Sequence, residues 1–202
     1  MEFDKVIEKR QSTRAFSSKK ASWKEMVNAV EAVRQGPWAD NTCSCKFLII
    51  EEPKTIAQLA TLADQSWIAD ATGMIIVCNK ESSLEKMHGE RGRIYARQQA
   101  GAAINTLLLK LTDLGLQSCW VGSYEDTHIR KLLDIPGDIT IEALIPVGYA
   151  SSSPKNKDKP RKKPLETILN WEKWGESARP ALWREDKRRP QPESFGFKVG
   201  IK

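Results

Sequence analysis

The sequence predicts a layered domain of the α/β or α+β class. Four apolar segments of strand length recur along the 202-residue chain, and segments with helical periodicity separate them. Hydrophobic residues make up 40% of the chain and charged residues 29%, as is usual for a globular protein that buries a core. We therefore expect helices packed against the faces of one sheet.

Two helices are predicted near the N-terminus. Residues 4–10 form a short one, and a longer one begins after Ser22, which makes a capping box with Glu25. Gly36 and Pro37 end this second helix. Its apolar stripe consists of Trp23, Met26, Val27, Val30 and Val33.

The first two strands are predicted at residues 46–52 and 73–79, which contain the apolar runs FLII and GMIIVC. Residues 54–68 between them read as a helix. Its apolar face carries Ile56, Leu59, Ala60 and Ala63. Residues 80–95 are charged and weakly periodic, which indicates a loop or the polar start of a helix.

A long helix is predicted to end at Gly115. Residues 101–103 are small and keep one side of this helix thin, which permits close packing. Its core stripe consists of Ile104, Leu107, Leu108, Leu111 and Leu114. A third strand at 117–123, a short helix at 128–136 and a fourth strand at 139–150 complete the predicted domain.

The tail after residue 150 is basic. Residues 151–202 carry a net charge of +7, whereas residues 1–150 carry −1. The densest run, residues 154–164, is compatible with non-specific nucleic-acid binding, with a solvated linker, or with cations that complete an anion site in the body.

The same tail is rich in aromatic side chains, which favour packing on a surface. We therefore expect an arm that lies on the body or on a second subunit, with a helix at 164–176 and a strand at 192–202. Its large apolar residues are Trp171, Trp174, Leu182, Trp183, Phe195 and Phe197.

The stretch RQSTR places Arg10, Ser12 and Arg14 at alternate positions, so an extended chain would direct all three to one side. Arginine forks suit phosphate oxygens, and a serine hydroxyl adds a donor. From the residues alone, a phosphate site and a solvated surface strand both remain open.

Several common catalytic signatures are missing from the sequence. It has no dinucleotide-binding or P-loop glycine motif and no nucleophile elbow. Cys43 and Cys45 lack a second close pair, so we expect reduced thiols and no metal. Glu51 and Glu52 are adjacent and would point to opposite faces of a strand, so they are a poor pair for general acid/base catalysis. Any chemistry would therefore come from a bound cofactor.

The N-terminus has no apolar leader, and no apolar run reaches the ~18 residues of a membrane span. We therefore expect a cytoplasmic protein.

From about residue 4 to residue 169, the chain resembles the FMN-dependent nitroreductase family. RQSTRAF is similar to the family's N-terminal phosphate motif, and GPWADNTCSCKFLII stands where the family has P-S-x-x-N before an apolar strand. QQAGAAINTLLLKLTDLGLQSCWVGS is similar to its central helix and following strand. LIPVGYA with KPRKKPLETI resembles its last core strand and cationic motif.

The resemblance implies a three-layer α/β/α fold of the α+β class with a mostly antiparallel central sheet. It implies a homodimer in which residues 1–169 form the FMN-binding domain and residues 170–202 an extension over the body or partner. The implied activity is NAD(P)H-driven, two-electron reduction of nitro, quinone or related small acceptors by a ping-pong mechanism. NADPH and NADH remain undecided.

The resemblance also implies where FMN binds. Arg10, Ser12 and Arg14 would hold the phosphate and ribityl chain, and the flavin would carry the chemistry without a catalytic side chain. Asn41 of the partner subunit would reach the flavin ring, and backbone N–H groups of Gly122 and Ser123 would lie beside the ring's reactive edge. One of Lys159, Arg161 or Lys163 would complete the anion site, with Arg161 the first choice.

The chain departs from the family beside the flavin. Trp38 replaces a serine, and Cys43 lies within a changed N-x-Q-P-W motif. Both are expected at the substrate pocket, where Trp38 would either narrow the pocket or pack at the dimer interface. The alternatives are another reaction on this fold, such as a dehydrogenase or flavin-consuming oxygenase, and nucleic-acid binding by the basic tail.

Overall fold

The structure is a computed structural model that describes residues 1–152 and 163–177. The chain divides into two compact units, Met1–Asp158 and Lys159–Lys202. The domain boundary expected between residues 169 and 170 stays a prediction. Among residues 1–152 and 163–177, no helix is both long and apolar enough to cross a membrane.

The described part of the first unit contains six α-helices and four strands. In chain order they are α1 Phe3–Lys9, α2 Trp23–Val33, β1 Cys45–Ile50, α3 Pro53–Leu62, β2 Gly73–Asn79, α4 Glu81–His88, α5 Glu90–Asp113, β3 Gln117–Ser118, α6 Asp126–Leu132 and β4 Thr140–Gly148. Two short 3₁₀ segments, Ala39–Asn41 and Ser66–Asp70, precede β1 and β2.

The four strands form one sheet in the order β1-β2-β4-β3, and all neighbouring strands are antiparallel. Val77 pairs with Ala143, but the next residue, Cys78, pairs with Ile141. Glu142 is therefore the extra residue of a β-bulge in β4. Bulges redirect side chains, and this one has a consequence for the candidate site.

Helices cover both faces of the sheet. Ile75 and Val77 face a core formed with α2 and α5, whereas Met74 and Ile76 face a second core formed with α3 and α6. This period-two alternation is that of a strand buried on both sides. The α+β class with an antiparallel sheet is thus confirmed, and the helices give it three layers.

The buried face of α2 differs from the predicted stripe. Met26, Ala29 and Val33 are buried, but Trp23 and Val27 remain 51% and 45% exposed. A helix turns by about 100° per residue, so Trp23 and Val27 lie at the margin of a face centred on Met26 and Val33. The predicted capping box between Ser22 and Glu25 is present.

Two further predictions change in the structure. The third strand pairs only at Gln117–Ser118, and a single bridge joins Val121 to Leu144. The charged segment 80–95, predicted as either a loop or the polar start of a helix, is helical and contains α4 and the first turns of α5. The small residues at 101–103 were expected to allow close helix packing, but α5 approaches another helix, α4, most closely at Gly92. A Cβ at Gly101 would meet nothing within 4 Å in this chain.

The described part of the second unit, residues 163–177, contains one 3₁₀ turn, Leu165–Thr167. The helix predicted at 164–176 is therefore wrong over these residues. Glu172 and Gly175 have φ values of 60° and 89°, which a right-handed helix does not contain. The predicted strand at 192–202 lies outside the described residues.

Candidate functional site

The RQSTR stretch lies along the free edge of β3. Ser12 forms a parallel bridge with Ser118, and the N–H of Thr13 donates to the Ser118 carbonyl at 3.0 Å. The Thr13 side chain is fully buried and donates to Gln117 Oε1 at 3.1 Å. Ser12 and Arg14, on either side of Thr13, are exposed. The segment is therefore anchored through Thr13.

Ser12 is hydrogen-bonded to the buried thiol of Cys119, and Arg10 and Arg14 stand two residues before and after Ser12. Burial raises the pKa of this thiol, whereas the charge of Arg14, a hydrogen bond with Ser12 and the charge of Arg10 act to lower that pKa. All three side chains are thus close enough to influence one sulfur atom. They form a local cluster of two cations and a hydroxyl at the β3 edge.

Gly122 and Ser123 follow the same edge after the bridge at Val121, and both are exposed. A Cβ at Gly122 would meet only the indole nitrogen of Trp120, at 4.0 Å. Packing within this chain therefore does not require glycine here. The absence of a side chain at Gly122 leaves the backbone N–H groups of Gly122 and Ser123 accessible to a ligand.

Asn41 lies in the turn Ala39–Asn41, where Asp40 and Asn41 have φ values of 46° and 54°. Asn41 is exposed. Oδ2 of Asp40 lies 2.9 Å from Nε2 of His88, an ion-pair distance when the histidine is protonated. That nitrogen lacks hydrogen-bond alignment with any described residue.

The two residues expected at the substrate pocket flank this turn. Trp38 is half-buried, packs against the core and donates from Nε1 to the Arg34 carbonyl at 3.2 Å. The Cys43 thiol is exposed and lies 3.8 Å from the Cys45 carbonyl oxygen. A nearby cavity of about 200 Å³ is lined by Pro37, Ala39, Tyr95, Gln98, Gln99 and Ala102. Its lining includes neither Trp38 nor Cys43.

The structure places Asn41 far from the cationic cluster. Asn41 precedes β1, whose first residue, Cys45, pairs with Asn79, and Asn79 pairs with Thr140 at the start of β4. The cationic cluster lies beside β3, where Gln117 pairs with Gly148 at the end of β4. Strand and interstrand spacings put these corners of the sheet roughly 30 Å apart. One chain therefore holds two separate groups of predicted flavin contacts.

The remaining predicted contacts belong to the second unit. Lys163 is exposed, whereas Lys159 and Arg161 lie outside the described residues. Among residues 1–152 and 163–177, no group of three or more histidine, cysteine or acidic side chains is placed to hold a metal. All four cysteines are free thiols, and burial raises the pKa of Cys45 to about 12 and that of Cys78 to about 11.

Sequence reasoning missed a buried polar network behind the Asn41 turn. Its members are Gln99 on α5, Ser44 before β1, Asn79 at the end of β2, and Glu142 at the bulge. Two signals were available in the sequence. Gln99 lies on the buried stripe three residues after Ala96, and Glu142 is a lone charge within an apolar strand.

The carboxyl group of Glu142 predicts a pH-dependent stability. Burial raises the pKa of Glu142 above its ordinary value of 4.5, and the charge of Glu81 adds to this, whereas a hydrogen bond from Asn79 opposes it. The raised pKa means that the charged form is less favourable in the folded chain than in the unfolded chain, so this group lowers stability at pH values above 4.5. Below pH 4.5 the group is neutral in both states and this cost disappears.

Glu142→Gln is therefore expected to raise the melting temperature at pH 7, because the amide keeps an acceptor for Asn79 without the charge. The gain should shrink as the pH falls toward 4. Thermal unfolding of both proteins across this range tests the prediction, and Glu51→Gln controls for loss of an exposed carboxylate. A gain that is independent of pH, or no gain at pH 7, would contradict it.

Comparison with known proteins gives consistent likenesses. The family model described as the Nitroreductase family matches residues 57–149. An iodotyrosine deiodinase of Thermotoga neapolitana is 24% identical over 168 residues, covering 75% of this chain and 90% of the relative. A Methanothermobacter thermautotrophicus protein with the provisional name NADH dehydrogenase/NAD(P)H nitroreductase is 28% identical over 163 residues, covering 78% and 82%.

Among solved structures, the hypothetical oxidoreductase YcnD of Bacillus subtilis superposes with a TM-score of 0.75. The match covers 86% of this chain and 75% of that one, at 19% identity. At this identity the likeness concerns the fold alone.

Proposed function

Since this chain is a nitroreductase-like oxidoreductase, we propose that it binds FMN and uses NAD(P)H to reduce small acceptors of the nitro or quinone type. The observation that carries the proposal is the position of Arg10, Ser12 and Arg14, at alternate residues of a segment that Ser12 bridges to Ser118 at the edge of β3. Two cations and a hydroxyl are a suitable donor set for a phosphate monoester.

The residues fit FMN in a second respect. Arg10, Ser12 and Arg14 would bind the phosphate and adjoining chain, and the exposed N–H groups after Val121 would orient the ring. The open space at Gly122 supports this, because a side chain there would cover those groups. When bound, FMN would supply the two-electron redox chemistry, and the protein would supply position and charge.

The separation of Asn41 from the cationic cluster supports a homodimer. A residue at the opposite corner of the sheet cannot reach the same ligand within one chain. A two-fold arrangement would bring Asn41 of one subunit to the phosphate-bearing edge of the other and complete two equal sites. Lys159, Arg161 or Lys163 would add a further cation to the phosphate.

The first test is the cofactor itself. We expect the purified protein to be yellow, to release FMN rather than FAD on heating, and to have the mass of a dimer by light scattering. NADPH and NADH should each be tried as reductant against a nitroaromatic, a quinone and a halogenated phenol, the last because one relative is a deiodinase. Absence of flavin binding after reconstitution with FMN would refute the proposal.

A further inference from the structure

Three buried polar side chains form a continuous series of hydrogen bonds between α5 and the ends of β1 and β2. Gln99, Ser44 and Asn79 are 4%, 2% and 0% exposed. Nε2 of Gln99 donates to Ser44 Oγ at 2.5 Å, and Ser44 Oγ donates to Asn79 Oδ1 at 2.6 Å. Nδ2 of Asn79 donates to the Ala96 carbonyl at 2.9 Å and to Glu142 Oε1 at 3.1 Å.

This series of hydrogen bonds ends on the turn that carries Asn41. Oε1 of Gln99 accepts from the N–H of Ala39 at 3.3 Å, and Nε2 of Gln99 also donates to the carbonyl of Thr42 at 3.3 Å. These two backbone groups flank Asp40 and Asn41. One amide side chain therefore holds both ends of the turn.

The turn requires such support because of its backbone conformation. Asp40 and Asn41 both adopt positive φ, and residues other than glycine hold that conformation only where their surroundings enforce it. Ser44 and Asn79 in turn fix the orientation of the Gln99 amide, since each donor meets a matching acceptor. A leucine at position 99 would fill similar space without holding either end.

We propose that Gln99 is a positioning residue, whose amide holds the turn 39–42 so that Asn41 is presented to the flavin of the opposite subunit. This inference rests on the proposed function. It adds to that function a residue that is only 4% exposed and whose amide is bonded to the two ends of the turn. Gln99 acts through Asn41, so its effect should depend on Asn41 being present.

The test is a double-mutant cycle with Gln99→Leu and Asn41→Ala, read by FMN affinity and by the visible absorbance of bound flavin. Each single variant should weaken FMN binding roughly 2- to 10-fold, the range for a lost neutral hydrogen bond, and shift the flavin absorbance. In the Asn41→Ala background, Gln99→Leu should add nothing further. Gln58→Leu, the same change at an exposed position of α3 on the opposite face of the sheet, should bind FMN as the parent does.

The outcomes separate this inference from the proposed function. A parent protein that binds no FMN overturns the function and the inference together. A parent that binds FMN, with Gln99→Leu unchanged in affinity and spectrum, overturns only the inference, and so do strictly additive effects or an Asn41→Ala variant without effect. If Gln99→Leu does not fold, Gln99→Glu replaces it, because glutamate keeps an acceptor for Ala39 but loses the donation to Thr42.

Discussion

Arg14→Ala should weaken FMN binding roughly 10- to 150-fold, the largest effect expected of any single change at the proposed site. A charge-assisted hydrogen bond contributes about 1.5–3 kcal/mol, and each 1.4 kcal/mol is about one decade in affinity. The Thr13 anchor to Ser118 does not involve the Arg14 side chain, so the local backbone should be kept. Titration of apoprotein with FMN, followed by flavin fluorescence, measures the effect.

Two comparisons separate loss of a ligand contact from loss of structure. The melting temperature of flavin-free Arg14→Ala should stay close to that of the parent, while the rise on adding FMN becomes smaller. Lys131→Ala removes an exposed cation from α6, which packs with α3 on the sheet face opposite to α2 and α5. This control should leave FMN affinity unchanged. FMN affinity within about twofold of the parent would show that Arg14 is a solvated surface cation.

Gly92→Ala should lower the free energy of unfolding by about 2 kcal/mol, a decrease of several degrees in melting temperature. A Cβ at this position would lie 2.2 Å from the carbonyl oxygen of Leu84 and 2.6 Å from the backbone nitrogen of Glu85. Backbone atoms cannot rotate away as a side chain can, so α4 would have to move as a unit. This strain should exceed the gain of about 1 kcal/mol that alanine brings to a helix interior.

Gly101→Ala is the matched control, because it adds the same methyl group to the same helix where this chain leaves the space open. It should raise stability by about 0.5–1 kcal/mol. Thermal melts of both variants, with light scattering to follow the oligomeric state, test the pair. Equal stabilisation of both variants would contradict the packing of α4 on α5. A loss at Gly101 accompanied by dissociation would place that residue in a subunit interface.

Local pattern was sufficient for most of the secondary structure. The predicted strand at 73–79 matches β2 residue for residue, and the capping box at Ser22 marks the start of α2. The strand is recognisable because a strand buried on both faces carries apolar residues on both, and the helix start is recognisable because its capping hydrogen bonds join residues close in sequence. The helix predicted at 164–176 failed, because its apolar spacing did not reveal the positive φ values at Glu172 and Gly175.

For the candidate site, the sequence by itself determined the chemical groups: two arginines and a serine at alternate positions, and an asparagine in a turn before the first strand. Only the tertiary structure decided where they lie. Strand order and register place Ser12 beside β3 and Asn41 at the opposite corner of the sheet, and the bulge at Glu142 directs that carboxyl group to Asn79. Strand pairing joins residues far apart in the chain, so periodicity cannot encode the distance between them.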